Sequence, residues 1–102
     1  MYSILCGISF IIIGEVLRVN KMQLNAQIVG NVIARFRLCK GVSQEVLSGL
    51  SDIGRTHLSA IERGERKPTL ETLYRISLAL DVKMSVIIAA IENEIDGVCE
   101  KQ

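Results

Sequence analysis

The sequence predicts an all-α fold, a bundle of non-parallel helices, on three observations. From Ala26 onward no stretch alternates apolar and polar residues at the period of a strand. Apolar residues recur instead at helical spacing, as in Ile28, Val29, Val32, Ile33 and Phe36. Between such runs stand residues that start or stop helices, among them Gly41, Ser43, Gly64, Thr69 and Asp81. A chain of 102 residues has room for one domain. At 49% hydrophobic and 23% charged residues it is too apolar to stay disordered. With 4% aromatic residues and no Trp, its core must be built from Ile, Leu and Val.

The helices follow in order. The first runs from about Ala26 to Cys39, with Gly41 as a left-handed stop. Ser43 is a good N-cap for a second helix, Gln44 to Leu50. Ser51, Asp52 and Ile53 make a turn, and a third helix spans Arg55 to Arg63, stopped by Gly64. Glu65, Arg66, Lys67 and Pro68 form a charged loop, after which Thr69 caps a fourth helix, Leu70 to Leu80. Its stripe reads Leu70, Leu73, Ile76 and Leu80, and Asp81 ends it. A fifth helix runs from about Met84 to Asn93 or slightly further.

The N-terminus follows different rules. Met1 to Gly14 carries no charge and includes the run Ile11-Ile12-Ile13. It is too short to span a bilayer, which takes about 20 apolar residues. It also lacks the basic residue and cleavage site of a signal peptide. Residues 1–21 are therefore an apolar extension with three open readings: a segment that packs on the domain or a partner, a weak membrane-associating segment, or translated upstream sequence with the working start at Met22. The last is favoured, because recognisable domain sequence begins just after Met22. The expected organisation is this extension, a domain over 22–96 and a tail over 97–102.

Charge and cysteines narrow the function. The net charge is only +1, but its distribution is uneven. Seven basic residues face four acidic ones between Arg35 and Lys67, whereas from Asp81 onward five acidic residues face two basic ones. A basic middle and an acidic end can orient a small protein on an anionic surface. Cys6, Cys39 and Cys99 are odd in number and far apart, which suits buried or incidental thiols in a reducing cytoplasm. No pair of candidate catalytic groups stands out, nor any metal or phosphate-loop motif, so an enzyme is disfavoured. No cofactor, metal or small-molecule substrate is expected, and the lone His57 has no partner with which to ligate or catalyse.

The informative stretch is Ser43 to Pro68. Two helices joined by a short turn are the helix-turn-helix layout. The second of the pair must be held rigidly across the first, so Leu47, Ile53, Leu58 and Ile61 should face inward. A small residue, Ser48, sits where the helices cross. Polar residues should project from the start of the second helix, and Arg55, Thr56, His57 and Ser59 are placed to do so. The plain alternative for these four is an ordinary solvated helix face.

Over about Ile28 to Ile88 the chain resembles the lambda-repressor-like (Cro/CI-type, XRE family) helix-turn-helix domain. The resemblance rests on Val29-Gly30, Phe36-Arg37, Gly41 to Glu45, Leu58-Ser59, Ile61-Glu62-Arg63-Gly64, Arg66 with Pro68, and Thr69 to Leu73 running on to Ala79-Leu80. It departs at Ser48, where the family usually has Ala, and at Asp52 and Asp81, where Gly is usual. It departs again at Gly54, where Ser or Thr commonly caps the recognition helix. None of these breaks the motif, since Asp tolerates left-handed backbone and Gly is an acceptable N-cap.

The resemblance implies a five-helix lambda-repressor-like domain that binds double-stranded DNA with its third helix in the major groove. Gln44 resembles a phosphate anchor at a helix N-terminus. Arg55, Thr56 and Ser59 resemble base-edge readers, with His57 and Arg66 as backbone or flank contacts. Arg37 and Glu62 resemble a structural pair tying the first helix to the third. The fifth helix, apolar nearly all round from Val86 to Ile91, is more apolar than one core stripe needs. A deeply packed last helix would account for that. So would a homodimer through this helix, with Ile87 and Ile91 as candidates for the partner side, reading a near-palindromic operator.

The expectation is a cytoplasmic, homodimeric transcriptional regulator. A restriction-modification controller or an antitoxin would look alike. An interaction module that keeps the fold without DNA binding is the rival from another class, and a membrane-tethered regulator using Met1 to Gly14 is a third.

Overall fold

The computed structural model describes residues 23–100, and they are helical without a strand among them. Five helices follow one another: α1 (Ala26–Cys39), α2 (Gln44–Ser51), α3 (Arg55–Glu62), α4 (Leu70–Leu80) and α5 (Met84–Glu100). The extension over 1–21, with Cys6, lies outside the described residues, as does the Cys99 side chain.

Local chemistry sets the helix ends. The Asn25 side chain accepts from the backbone N–H of Gln27 and Ile28, Ser43 from Val46, and Thr69 from Thr72, which occupies donors a helix start leaves without partners. Gly54 starts α3 with no side-chain cap. Left-handed residues close the other ends: Gly41 at φ 72°, Asp52 at 59°, Gly64 at 82° and Asp81 at 60°. Both aspartates thus take the backbone for which glycine is the usual residue. Arg75 of α4 donates to the Asp52 carbonyl at 3.3 Å, pinning the turn between α2 and α3.

The core is aliphatic. Val29, Val32 and Ile33 of α1, Leu47 of α2, Leu58 and Ile61 of α3, Leu73, Ile76 and Leu80 of α4, and Ile87 and Ile91 of α5 form one buried cluster. Ile53 packs against it half-buried, and Ser48 is buried where α2 crosses its neighbours. Its hydroxyl donates back to the Glu45 carbonyl, and that of Ser51 to the Leu47 carbonyl. Those bonds satisfy two buried polar groups within α2 itself.

Three sequence expectations change. Helix α5 continues to Glu100, well beyond Asn93, so residues 97–100 of the expected tail are helical. Nothing stops it earlier, because the acidic stretch after Ile91 holds no proline and Arg35 of α1 reaches Glu94 at 3.0 Å. Leu70 leaves the α4 core stripe: it is exposed with Tyr74 and Leu78, four and eight residues on, on the side away from Leu73, Ile76 and Leu80. Ile87 and Ile91 are 0% and 6% exposed and face the core, so they cannot be a partner surface; among the described residues of α5 the exposed large apolar side chains are Val86 and Ile88. Four-residue spacing placed both isoleucines on one stripe, and only packing against α1 and α4 decides that it is the inner one. Cys39 is exposed at the end of α1.

Candidate nucleic-acid interface

The third helix is held before it can present anything. Leu58, Ala60, Ile61 and Glu62 are its buried residues. At about 100° per residue, Arg55, Thr56 and Ser59 share the opposite side of α3. Arg55 and Thr56 are exposed and Ser59 half-buried. His57 falls off this face and is half-buried beside the core-facing residues. Arg66 stands exposed in the following loop with Lys67.

Close approach of α1 fixes the depth of α3. A Cβ on Gly30 would lie 2.2 Å from the Ile61 carbonyl oxygen and 2.8 Å from that of Glu62. Only glycine lets the two backbones meet this closely. Below that contact sits the Arg37–Glu62 pair, whose side chains are 13% and 5% exposed. The guanidinium donates from Nε to Oε2 at 2.8 Å and from Nη2 to Oε1 at 2.9 Å. Its Nη1 donates to the Val42 carbonyl at 3.0 Å. The fork-to-fork bonds to Glu62 raise the Arg37 pKa further above its already high range.

Gln44 enters the same cluster. Its side-chain nitrogen donates to Glu62 Oε1 at 2.8 Å, so the first residue of α2 is tied to the last residue of α3. Sequence reasoning paired Glu62 with Arg37 only, and nothing in the spacing of residues 44 and 62 announces the third member. The backbone N–H groups of Gln44 and Glu45 lie in the first turn of α2, where no intrahelical acceptor exists.

Arg63 is the second omission. It caps α3 with near-helical backbone and continues the exposed face as the third step of Arg55, Ser59, Arg63. That i, i+4, i+8 spacing was the available signal. Arg63 Nη1 donates to the Ser59 hydroxyl. Its Nε and Nη2 clasp Glu65 at 2.8 and 2.9 Å. This hydrogen-bonded pairing lowers the Glu65 pKa and raises that of Arg63. Ser59 is therefore not an isolated hydroxyl but one end of a Ser59–Arg63–Glu65 chain. No helix of the described residues is long and apolar enough to cross a membrane.

The same architecture occurs in known proteins. A helix-turn-helix family model matches residues 33–87. Over 56 residues the chain is 43% identical to the uncharacterized HTH-type transcriptional regulator y4dJ of Sinorhizobium fredii, a match covering 55% of this chain and 73% of that protein. It is 36% identical over 66 residues to control protein C.MunI of a Mycoplasma species, covering 64% of this chain and 89% of the relative. The fold is similar to that of the restriction-modification controller protein C.Esp1396I, solved as a tetramer in complex with its natural 35 base-pair operator. That likeness has a TM-score of 0.66 at 36% identity and covers 72% of this chain and 96% of the other. The chain belongs to the helix-turn-helix family, of the lambda-repressor-like, XRE type.

Proposed function

We propose that this protein is a sequence-specific DNA-binding transcriptional regulator that acts as a homodimer with α3 in the major groove. The carrying observation is the polar outer face of α3, Arg55, Thr56, Ser59 and Arg63, on a helix whose inner face is anchored by core contacts and by the buried Arg37–Glu62 pair. Rigid presentation is what base reading requires, since hydrogen-bond donors must meet base edges within narrow geometry. In this reading Arg55, Thr56 and Ser59 face base edges, and His57 and Arg66 touch the flanking backbone. Gln44 and the free N–H groups at the start of α2 hold a phosphate. The relatives named as control and operator-binding proteins support the same reading.

In this reading the dimer forms through α5 beside its buried stripe, where Val86 and Ile88 flank buried Ile87 on either side and are 47% and 36% exposed. Two copies related by a two-fold axis would set their α3 helices about 34–36 Å apart and read a near-palindromic site. Selection from a random duplex pool at fixed, moderate salt tests the proposal. A near-palindromic enriched site is expected, and Arg55→Ala should relax its sequence preference with a loss of about 1–3 kcal/mol. Gln44→Ala should weaken binding to all sequences alike. If no site is enriched and bulk DNA is not bound, the chain is an interaction module that kept the fold.

A further inference from the structure

We infer that buried Glu62 is the positioning residue for the phosphate contact of Gln44, so that one carboxylate both locks α3 to α1 and aims the start of α2 at the DNA backbone. The inference rests on the phosphate role proposed for Gln44. Glu62 is the one charged side chain among the buried described residues, and its carboxylate accepts three hydrogen bonds: two from Arg37 and one from Gln44.

The Gln44 bond decides which end of the carboxamide faces inward. An ionised carboxylate only accepts, so the amide nitrogen and not the oxygen must turn toward Glu62. A carboxamide nitrogen carries two N–H groups, about 120° apart. One is spent on Oε1 at 2.8 Å, and the other has no protein acceptor among the described residues. Gln44 is also the first residue of α2, beside backbone N–H groups that lack intrahelical acceptors. Held this way, the side chain can give its remaining N–H to the same phosphate oxygen those backbone groups approach, without giving up Glu62. A glutamine free to rotate would have to be immobilised at the moment of binding. One immobilised rotamer-rich side chain costs about 0.5–1.5 kcal/mol, or about 2- to 12-fold in affinity.

The coupling also joins the two halves of the motif. Gln44 stands at the start of α2 and Glu62 at the end of the recognition helix α3. The phosphate contact and the base-reading face are thereby set at one fixed separation, with Arg37 bracing both from α1.

The test is a double-mutant cycle on DNA affinity, with Glu62→Gln made in the unmodified and the Gln44→Ala backgrounds at a temperature where every variant is folded. Glu62→Gln should weaken binding about 2- to 10-fold for specific and non-specific duplexes alike, and its effect should be much smaller once Gln44 is alanine. Independent, multiplying effects would mean that Glu62 acts through the fold alone and would overturn the inference while leaving the phosphate contact standing. A Gln44→Ala protein that binds DNA normally overturns the phosphate contact, and the positioning role with it.

Side-chain amide NMR of the unmodified protein keeps the question answerable even if Glu62→Gln does not fold. One Gln44 amide proton should be protected from exchange in both the free and the DNA-bound protein, and the other should shift only when a duplex is added. Exchange of both protons as fast as those of exposed Gln23 would refute the tie directly.

Discussion

Removing Arg37 tests the central brace of the domain. Arg37→Ala deletes all three bonds the guanidinium makes, at 2.8 and 2.9 Å to Glu62 and 3.0 Å to the Val42 carbonyl. Glu62 remains, its side chain 5% exposed, with only the Gln44 amide as partner. Stranding a buried charge costs about 3–5 kcal/mol, and the surviving Gln44 bond places this case near 3 kcal/mol. For a domain of this size each kcal/mol moves the melting temperature by about 4–8 °C, so a fall of about 12–24 °C is expected. Urea titration followed by far-UV circular dichroism measures it, with an unchanged slope as the sign that the unfolding reaction is the same. Arg63→Ala serves as the control. It removes a pair whose side chains are 53% and 58% exposed, and the midpoint should barely move. Replacing Arg37 and Glu62 together by methionine should recover much of the loss, because no charge is then left stranded. An Arg37→Ala protein within about 0.5 kcal/mol of the parent would refute the view that the pair is buried and braces α1 against α3.

Glycines make a second contrast. Gly30→Ala should destabilise by about 1–3 kcal/mol, since the new Cβ meets backbone that cannot yield as a side chain would, despite better helix propensity. Gly49→Ala, with nothing within 4 Å of the new atom, should stabilise by about 0.5–1 kcal/mol in the same urea titration. Asp81→Gly should stabilise by roughly 0.5 kcal/mol, the left-handed strain of about 1–2 kcal/mol less about 0.4–1 for the added freedom of the unfolded chain; a lower urea midpoint would show that the Asp turn is unstrained. For the dimer, Ile88→Glu should abolish self-association in sedimentation equilibrium and keep the helical spectrum. Ile87→Glu should lose the fold; equal outcomes for the two would remove α5 as the interface.

Much of this protein was legible from neighbours in the chain. Caps at Ser43 and Thr69 and the stops at Gly41 and Gly64 are where local chemistry placed them. These signals act within one helical turn, so a sequence carries them without reference to the fold. The buried Arg37–Glu62 pair was legible only through family resemblance, because no local rule links residues 25 positions apart.

Tertiary structure alone decided the rest. Periodicity shows that α5 has an apolar stripe at Ile87 and Ile91, but its direction depends on where α1 and α4 lie. The same holds for Leu70, which shares the core spacing of α4 yet ends up with Tyr74 and Leu78 on the outside. Gly30 looks like any helical glycine until the α3 carbonyls arrive 2.2 and 2.8 Å from its missing Cβ. Gln44 looks like a free surface side chain until Glu62 takes its amide. Each of these depends on atoms brought together from distant positions. A sequence determines such contacts only by folding: its local patterns record which residues prefer a helix and which face is apolar, while the partner across the gap is chosen by packing.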